Sequence, residues 1–119
     1  MRGENDVPDE LRPLIRALVE DLVAGRYEVL ARDGRIGRVD VDDLRREIDE
    51  YPATLAPFPE EAFDLGGYAW AIKNTDPQEW AIDQALWTVE EGRSDLELRA
   101  DICWRNGQYR IELQDILVP

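Results

Sequence analysis

Residues 80–98 read WAIDQALWTVEEGRSDLEL, from Trp80 to Leu98, and the reading of this stretch decides the fold. Trp80, Ile82 and Leu86 share one face of a period-two pattern, and Leu96 and Leu98 begin a second such pattern. Between them Glu90, Glu91, Gly92, Arg93, Ser94 and Asp95 form a dense polar turn, in which Gly92 supplies the positive φ that a short hairpin loop requires. The stretch therefore reads as a strand, an acidic turn and a second, antiparallel strand.

Toward the C-terminus the alternation continues through Ala100, Ile102 and Trp104 to Asn106 and Gly107, a strong type I′ turn pair. A two-residue turn there sets Trp104 against Tyr109, Ile102 against Ile111 and Ala100 against Leu113, all apolar on one face. On the other face Cys103 meets Arg110 and Asp101 meets Glu112, a like-charged pair that needs Arg99 or Arg110 diagonally nearby. Upstream, Tyr68, Trp70 and Ile72 share a face of one more strand, followed by a turn at residues 74–77.

The N-terminal half has the helical period instead. Leu11, Leu14, Ile15, Leu18, Leu22 and Val23 recur at spacings of three and four, with Asp9 as a candidate N-cap, Pro13 at the edge of the first turn and Gly25 as a stop. Residues 26–30 read as an added helical turn and residues 32–38 as a basic, flexible loop. Asp40 caps a second helix whose apolar face is Val41, Leu44, Ile48 and Tyr51, and Pro52 ends it. Pro52, Pro57 and Pro59 make residues 51–59 an extended connector, residues 60–63 a single helical turn, and Gly66 and Gly67 a break before the strands. The expected fold class is α+β, with two N-terminal helices packed on a curved antiparallel sheet of three or four strands. One domain is expected over residues 1–119, with residues 1–8 frayed.

Composition narrows the function. The chain of 119 residues is 44% apolar and 34% charged, with a formal net charge of -13. No apolar run approaches the roughly 20 residues that cross a bilayer, so no membrane span is expected. The negative field repels phosphate backbones and anionic lipid, which excludes nucleic acid as a partner, and it speeds association with a basic protein. Residues 1–9 lack the pattern of a secretory signal, and Cys103 is the only cysteine, so a cytoplasmic location without disulfides is expected.

The absence of histidine removes His-based acid–base, triad and zinc chemistry. Glycine-rich phosphate loops are missing. Asp40, Asp42 and Asp43 suggest a calcium loop, yet Arg45 and Tyr51 stand where the sixth-position glycine and twelfth-position glutamate belong. No metal and no cofactor are expected. Glu90, Glu91 and Asp95 crowd one turn, but acids in a solvated turn lack the contrasting environments that divide acid and base roles. No catalytic residue is assigned, and a non-enzymatic protein is the expectation.

Two sets of residues remain as binding candidates. The first is the turn, Glu90, Glu91, Arg93, Ser94 and Asp95, together with Trp87. The turn also has a purely structural reading, in which Ser94 and Asp95 bond its backbone and Arg93 pairs with Glu90 or Glu91. Trp87 lies on the odd-numbered face with Asp83, Arg99 and Asp101: either it is displayed among charges as an anchor, or a helix, loop or dimer partner covers it. The second set is Trp70, Trp80, Trp104 and Tyr109, expected in the core or lining a pocket between the first helix and the sheet.

The string LWTVEEGRSDL at residues 86–96, the closing DILV at residues 115–118 and EYPATLAPFPEEAF at residues 50–63 resemble an uncharacterised family of small bacterial proteins. That resemblance implies no activity. More loosely, helices followed by a curved antiparallel sheet are similar to cystatin-like and NTF2-like architectures, which host binders, enzymes and immunity proteins alike. The leading expectation is an acidic protein-binding module, an immunity or inhibitor protein against a basic effector such as a nuclease toxin. The alternative is a cystatin-like or NTF2-like small-ligand binder or cryptic enzyme with the Trp-lined pocket, and homodimerisation is compatible with either.

Overall fold

The computed structural model describes residues 5–118. A short 3-10 turn (Asp9–Leu11) leads into α1 (Arg12–Val23), followed by α2 (Tyr27–Arg32) and α3 (Val41–Glu50). Strand β1 (Leu55–Ala56) and α4 (Ala62–Gly66) precede β2 (Gly67–Ala71), β3 (Trp80–Thr88), β4 (Gly92–Arg105) and β5 (Gln108–Leu117). The fold is α+β, helices plus a five-stranded antiparallel sheet.

Strands β3, β4 and β5 form a meander, and β1 and β2 both pair with the far edge of β3. β2 takes residues 80–84 of β3 while β1 takes Trp87 and Thr88, which leaves a gap beside Ala85 and Leu86. Helix α4 sits there: the Gln84 Nε2 donates to the Ala62 carbonyl at 3.2 Å, and Gly66 lies against Ala85. The β4–β5 register is the expected one, Trp104 opposite Tyr109, Ile102 opposite Ile111, Ala100 opposite Leu113. Asn106 and Gly107 both have positive φ, as a type I′ turn demands.

α1 buries Ile15, Leu18, Val19 and Leu22 against Ile82, Leu86, Leu98, Ala100, Ile102, Ile111 and Leu113 of the sheet. Each fully buried aliphatic side chain contributes about 1.5–3 kcal/mol relative to exposure. α3 starts where Asp40 accepts from the Asp42 and Asp43 N–H groups, satisfying two otherwise unbonded donors. Leu44 anchors that helix in the core.

Three expectations are corrected. The N-terminal segment is held down: Val7 is fully buried and the Asn5 carbonyl accepts from the Ala69 N–H at 2.8 Å, while residues 1–4 lie outside the described residues. The basic loop is pinned, because the Arg35 carbonyl accepts from the Leu113 N–H and the Gly37 N–H donates to the Leu113 carbonyl, both at 2.7 Å. In β2 the aromatic stripe faces outward. Ala69 and Gly67 are the buried residues, and a Cβ on Gly67 would stand 2.5 Å from Gln84 Oε1 and 2.9 Å from the Phe63 carbonyl oxygen. Only small residues fit on that side.

Candidate functional site

The β3–β4 turn is built from contacts that reach across the chain. Both oxygens of the Glu90 carboxylate accept from the Thr54 N–H, at 3.1 and 2.9 Å, and the Thr54 carbonyl accepts from the Val89 N–H at 2.9 Å. The hydroxyls of Tyr51, Thr88 and Ser94 each lie 3.0 Å from Glu91 Oε1. The Tyr51 and Ser94 oxygens are themselves 2.7 Å apart, so one of these hydroxyls donates to the other and the pair shares the carboxylate. Ser94 Oγ also accepts from the Leu96 N–H, and Thr88 Oγ1 from the Glu91 N–H, both at 3.0 Å.

This network fixes charge. The hydrogen bond from Tyr51, helped by Ser94 and Thr88 against a smaller effect of burial, holds the Glu91 carboxyl below its usual range. Glu91 is therefore ionised at neutral pH. Tyr51 links the C-terminal end of α3 to the turn, so the acidic hairpin is a rigid extension of the helical layer.

Two residues of the turn stand apart from the network. Arg93 forms no ion pair with Glu90 or Glu91; it is exposed, opposite Trp87 in the ladder, and lines a cleft with Asp95, Glu97 and Val118. Asp95 is exposed and bonds no described residue, so it does not stabilise the turn backbone as expected. Nearby, Glu97 is held above its usual range by burial and by the charge of Asp83.

Trp87 keeps its predicted place on the odd-numbered face but is not displayed. It is 9% exposed, packed with Ala62 and Ala85 and edge-on to Phe58 at 5.8 Å between ring centroids. The connector and α4 cover it, and the hot-spot reading of its exposure is corrected. The four aromatics of the alternative pocket do not converge either. Trp104 packs edge-on to Tyr109 at 4.9 Å, and Trp80 leans on the core. Trp70 pairs in register with Ala81 and so points to the opposite face from Trp80. It is 41% exposed and stacks on Tyr68 at 6.1 Å. The reason is the small-residue side of β2, which leaves the aromatics no place in the core.

A different cleft does form, about 590 Å³, between the ends of α1 and α3, the start of α2 and the connector. Leu22, Val23, Ile48 and Leu55 make its apolar walls, and Tyr27, Asp49, Tyr51 and Glu90 bring its polar groups. Two acids and no basic residue line it. Two other clefts each contain arginine, Arg93 in one and Arg38 with Arg99 in the other. Asp49, Tyr27 and Tyr51 were not singled out by their sequence positions as polar groups of a site. The available signal was an acid in the last turn of α3, where the helix dipole favours cations.

Asp21, too, was missed. Nine-tenths buried beside the α1 stripe, it pairs with Arg26 Nε and Arg35 Nη2, both at 2.7 Å. Burial pushes its carboxyl up, but the hydrogen bonds and charges of the two arginines outweigh that and hold it below its usual range. It clasps both ends of α2 to α1, through Arg26 before that helix and Arg35 after it. Cys103 is buried opposite Arg110, and burial, followed by the charge of Glu112, pushes its thiol up to about 11. Among the described residues no group of three or more potential acidic or cysteine ligands could hold a metal ion, and no helix is long and apolar enough to cross a membrane.

The sequence profile of a domain of unknown function, DUF7668, matches residues 19–119. The chain belongs to this family. The DUF7668 span contains every residue of the 590 Å³ cleft and the whole of the acidic hairpin. The resemblance read from residues 50–63 and 86–96 to an uncharacterised family is thereby shown at the level of the family. No curated protein and no solved structure is significantly similar to this chain, so the likeness to cystatin-like or NTF2-like folds goes no further than the α+β class.

Proposed function

We propose that this chain is a non-enzymatic, acidic protein-binding module that engages a basic partner through the end of the molecule where the β3–β4 hairpin meets α3. The observation that carries the reading is the Tyr51–Glu91–Ser94 network with its neighbour, the Glu90–Thr54 bond. It makes a prepaid arrangement of carboxylates: fixed acids attract a cationic surface without losing side-chain freedom on binding. Around them Asp49, Glu50 and Asp95 are exposed and form no ion pair with any described residue. An inhibitor or immunity protein that neutralises a basic effector, such as a nuclease toxin, is the specific form of this proposal.

The test is retention of a basic protein from the native host's extract on the immobilised chain at about 50 mM salt, with elution by salt. The purified partner is then titrated against a double charge reversal, Glu50→Arg with Asp95→Arg. These two positions are chosen over Glu90 and Glu91 because reversing them breaks no hydrogen bond of the turn. The expected result is at least about a tenfold loss of affinity that shrinks as salt rises. Equal affinity of the double variant and the original chain at low salt would overturn the proposal.

A further inference from the structure

The 590 Å³ cleft has features that the acidic surface alone does not explain. The last turns of two helices of ten or more residues, α1 with Leu22 and Val23 and α3 with Ile48 and Asp49, both border it. Neither last turn holds a basic residue. The Glu20, Asp21 and Leu22 carbonyls of α1 and the Ile48 carbonyl of α3 accept backbone N–H groups, and the aligned peptide dipoles still make each C-terminal end partly negative, in the same sense as Asp49 and Glu90. A lysine or arginine at such an end would be stabilising. Here the α1 end has only Arg26 close by, held by Asp21, and the α3 end forms no ion pair with any described residue.

The basic side chains close by are already engaged, Arg26 by Asp21 at 2.7 Å and Arg45 on α3. Arg45, four residues before Asp49 on α3, pairs with Glu28 and with Asp42 at 3.4 Å, and its guanidinium lies over the Tyr27 ring at 5.4 Å from the centroid. Asp49 consequently forms no ion pair with any described residue. Tyr27 is only 7% exposed, lines the cleft, and its hydroxyl makes no hydrogen bond to any described residue. Burial, then the charge of Asp49, raises the phenol above its ordinary range, so the hydroxyl stays neutral and keeps acceptor lone pairs. The ring of Tyr27 is covered while its oxygen keeps access to solvent, so the phenol and the unpaired Asp49 carboxylate both have hydrogen-bonding capacity left for a ligand.

We infer that this cleft seats the side chain of an arginine from the partner protein, with its guanidinium between Asp49, Glu90 and the Tyr27 hydroxyl. The inference rests on the proposed reading of the chain as an acidic binding module. The apolar walls of Leu22, Val23, Ile48 and Leu55 suit the aliphatic stem of the arginine. A planar fork of five N–H donors serves carboxylates and a phenol oxygen on separate walls better than the compact ammonium of lysine does. The volume is within the usual range of roughly 300–1,000 Å³ for pockets that enclose a ligand group.

The experiment is an NMR titration of the isotope-labelled full chain with N-acetyl-Gly-Arg-Gly-amide, with the citrulline and lysine peptides alongside. The arginine peptide is expected to shift the amides of Gly25, Ala53 and Thr54, and the citrulline peptide, similar in shape but uncharged, is expected to leave them in place. The lysine peptide is expected to bind more weakly than the arginine peptide. Asp49→Asn is expected to weaken arginine binding about tenfold and Tyr27→Phe about threefold, with the spectrum of the remainder unchanged. Two variants are used so that loss of fold in one does not decide the result.

Shifts that gather elsewhere, equal binding of the citrulline peptide, or arginine binding indifferent to both substitutions would overturn the seat. Any of these results leaves the wider reading standing if the extract still yields a salt-sensitive basic partner. Failure to retain a basic partner at low salt overturns that reading, and the peptide shifts then decide the cleft by themselves.

Discussion

Asp21 shows how one carboxylate can organise a local fold. Its two arginines come from the α1–α2 junction and from the segment pinned to β5, so removing its charge loosens three elements at once. Asp21→Asn is expected to cost about 2 kcal/mol at neutral pH, the scale of hydrogen bonds to charged groups, measured by urea denaturation. Because the folded carboxyl titrates below its unfolded value near 4, this stabilisation is present above about pH 4 and is lost as pH falls through the lower folded value. The gap between variant and original chain should therefore close in acid. A gap that stays constant down to the acid transition would count against the ion pair as its source. Asp21 was hard to read from sequence because its partners are set by the path of the loop, whereas Asp40 was readable because an N-cap bonds only two and three residues ahead.

At the scale of elements, local rules did well wherever partners are close in sequence. The Asn106–Gly107 turn specifies its own register, since a two-residue loop with positive φ at both positions permits only one pairing. Parity also located Trp87 on the correct face. What parity does not contain is the cover, because Phe58 and Ala62 arrive from a connector and a helix some 25 or more residues earlier in the chain. Trp87→Ala is expected to lose about 3 kcal/mol of stability and Trp70→Ala less than about 0.5, read from thermal or denaturant melts. Comparable losses at the two positions would contradict the burial assigned to them. The acidic turn was legible as a hairpin through Gly92, while its bonds to Tyr51 and Thr54 were not.

At the scale of the whole molecule the net charge of -13 acts on a body of 40 × 37 × 22 Å. At about 10 mM salt the screening length is roughly 30 Å, comparable with those dimensions, and at physiological salt it falls to about 8 Å. Self-repulsion therefore spans the folded chain only at low salt. The melting temperature is expected to rise as sodium chloride goes from about 10 to about 150 mM, because the surplus acids outnumber the pairs that salt weakens. A fall in melting temperature over that range would mean that the ion pairs, not the net charge, dominate the electrostatics.

The sequence by itself determined what depends on near neighbours and on residue types: the α+β class, the helix stripes, the β4–β5 register beside its turn and the exclusion of histidine chemistry. Only the tertiary structure decided which aromatic residues are covered, which acids are paired and where a cleft opens. Periodicity reports the face a side chain takes on its own element, but burial and field strength are set by whatever other element lies against that face. Tyr27, the Asp49–Tyr51 end of α3 and Glu90 come from three separate places in the chain, and they become one cleft because α1, α2, α3 and the connector pack against a common sheet.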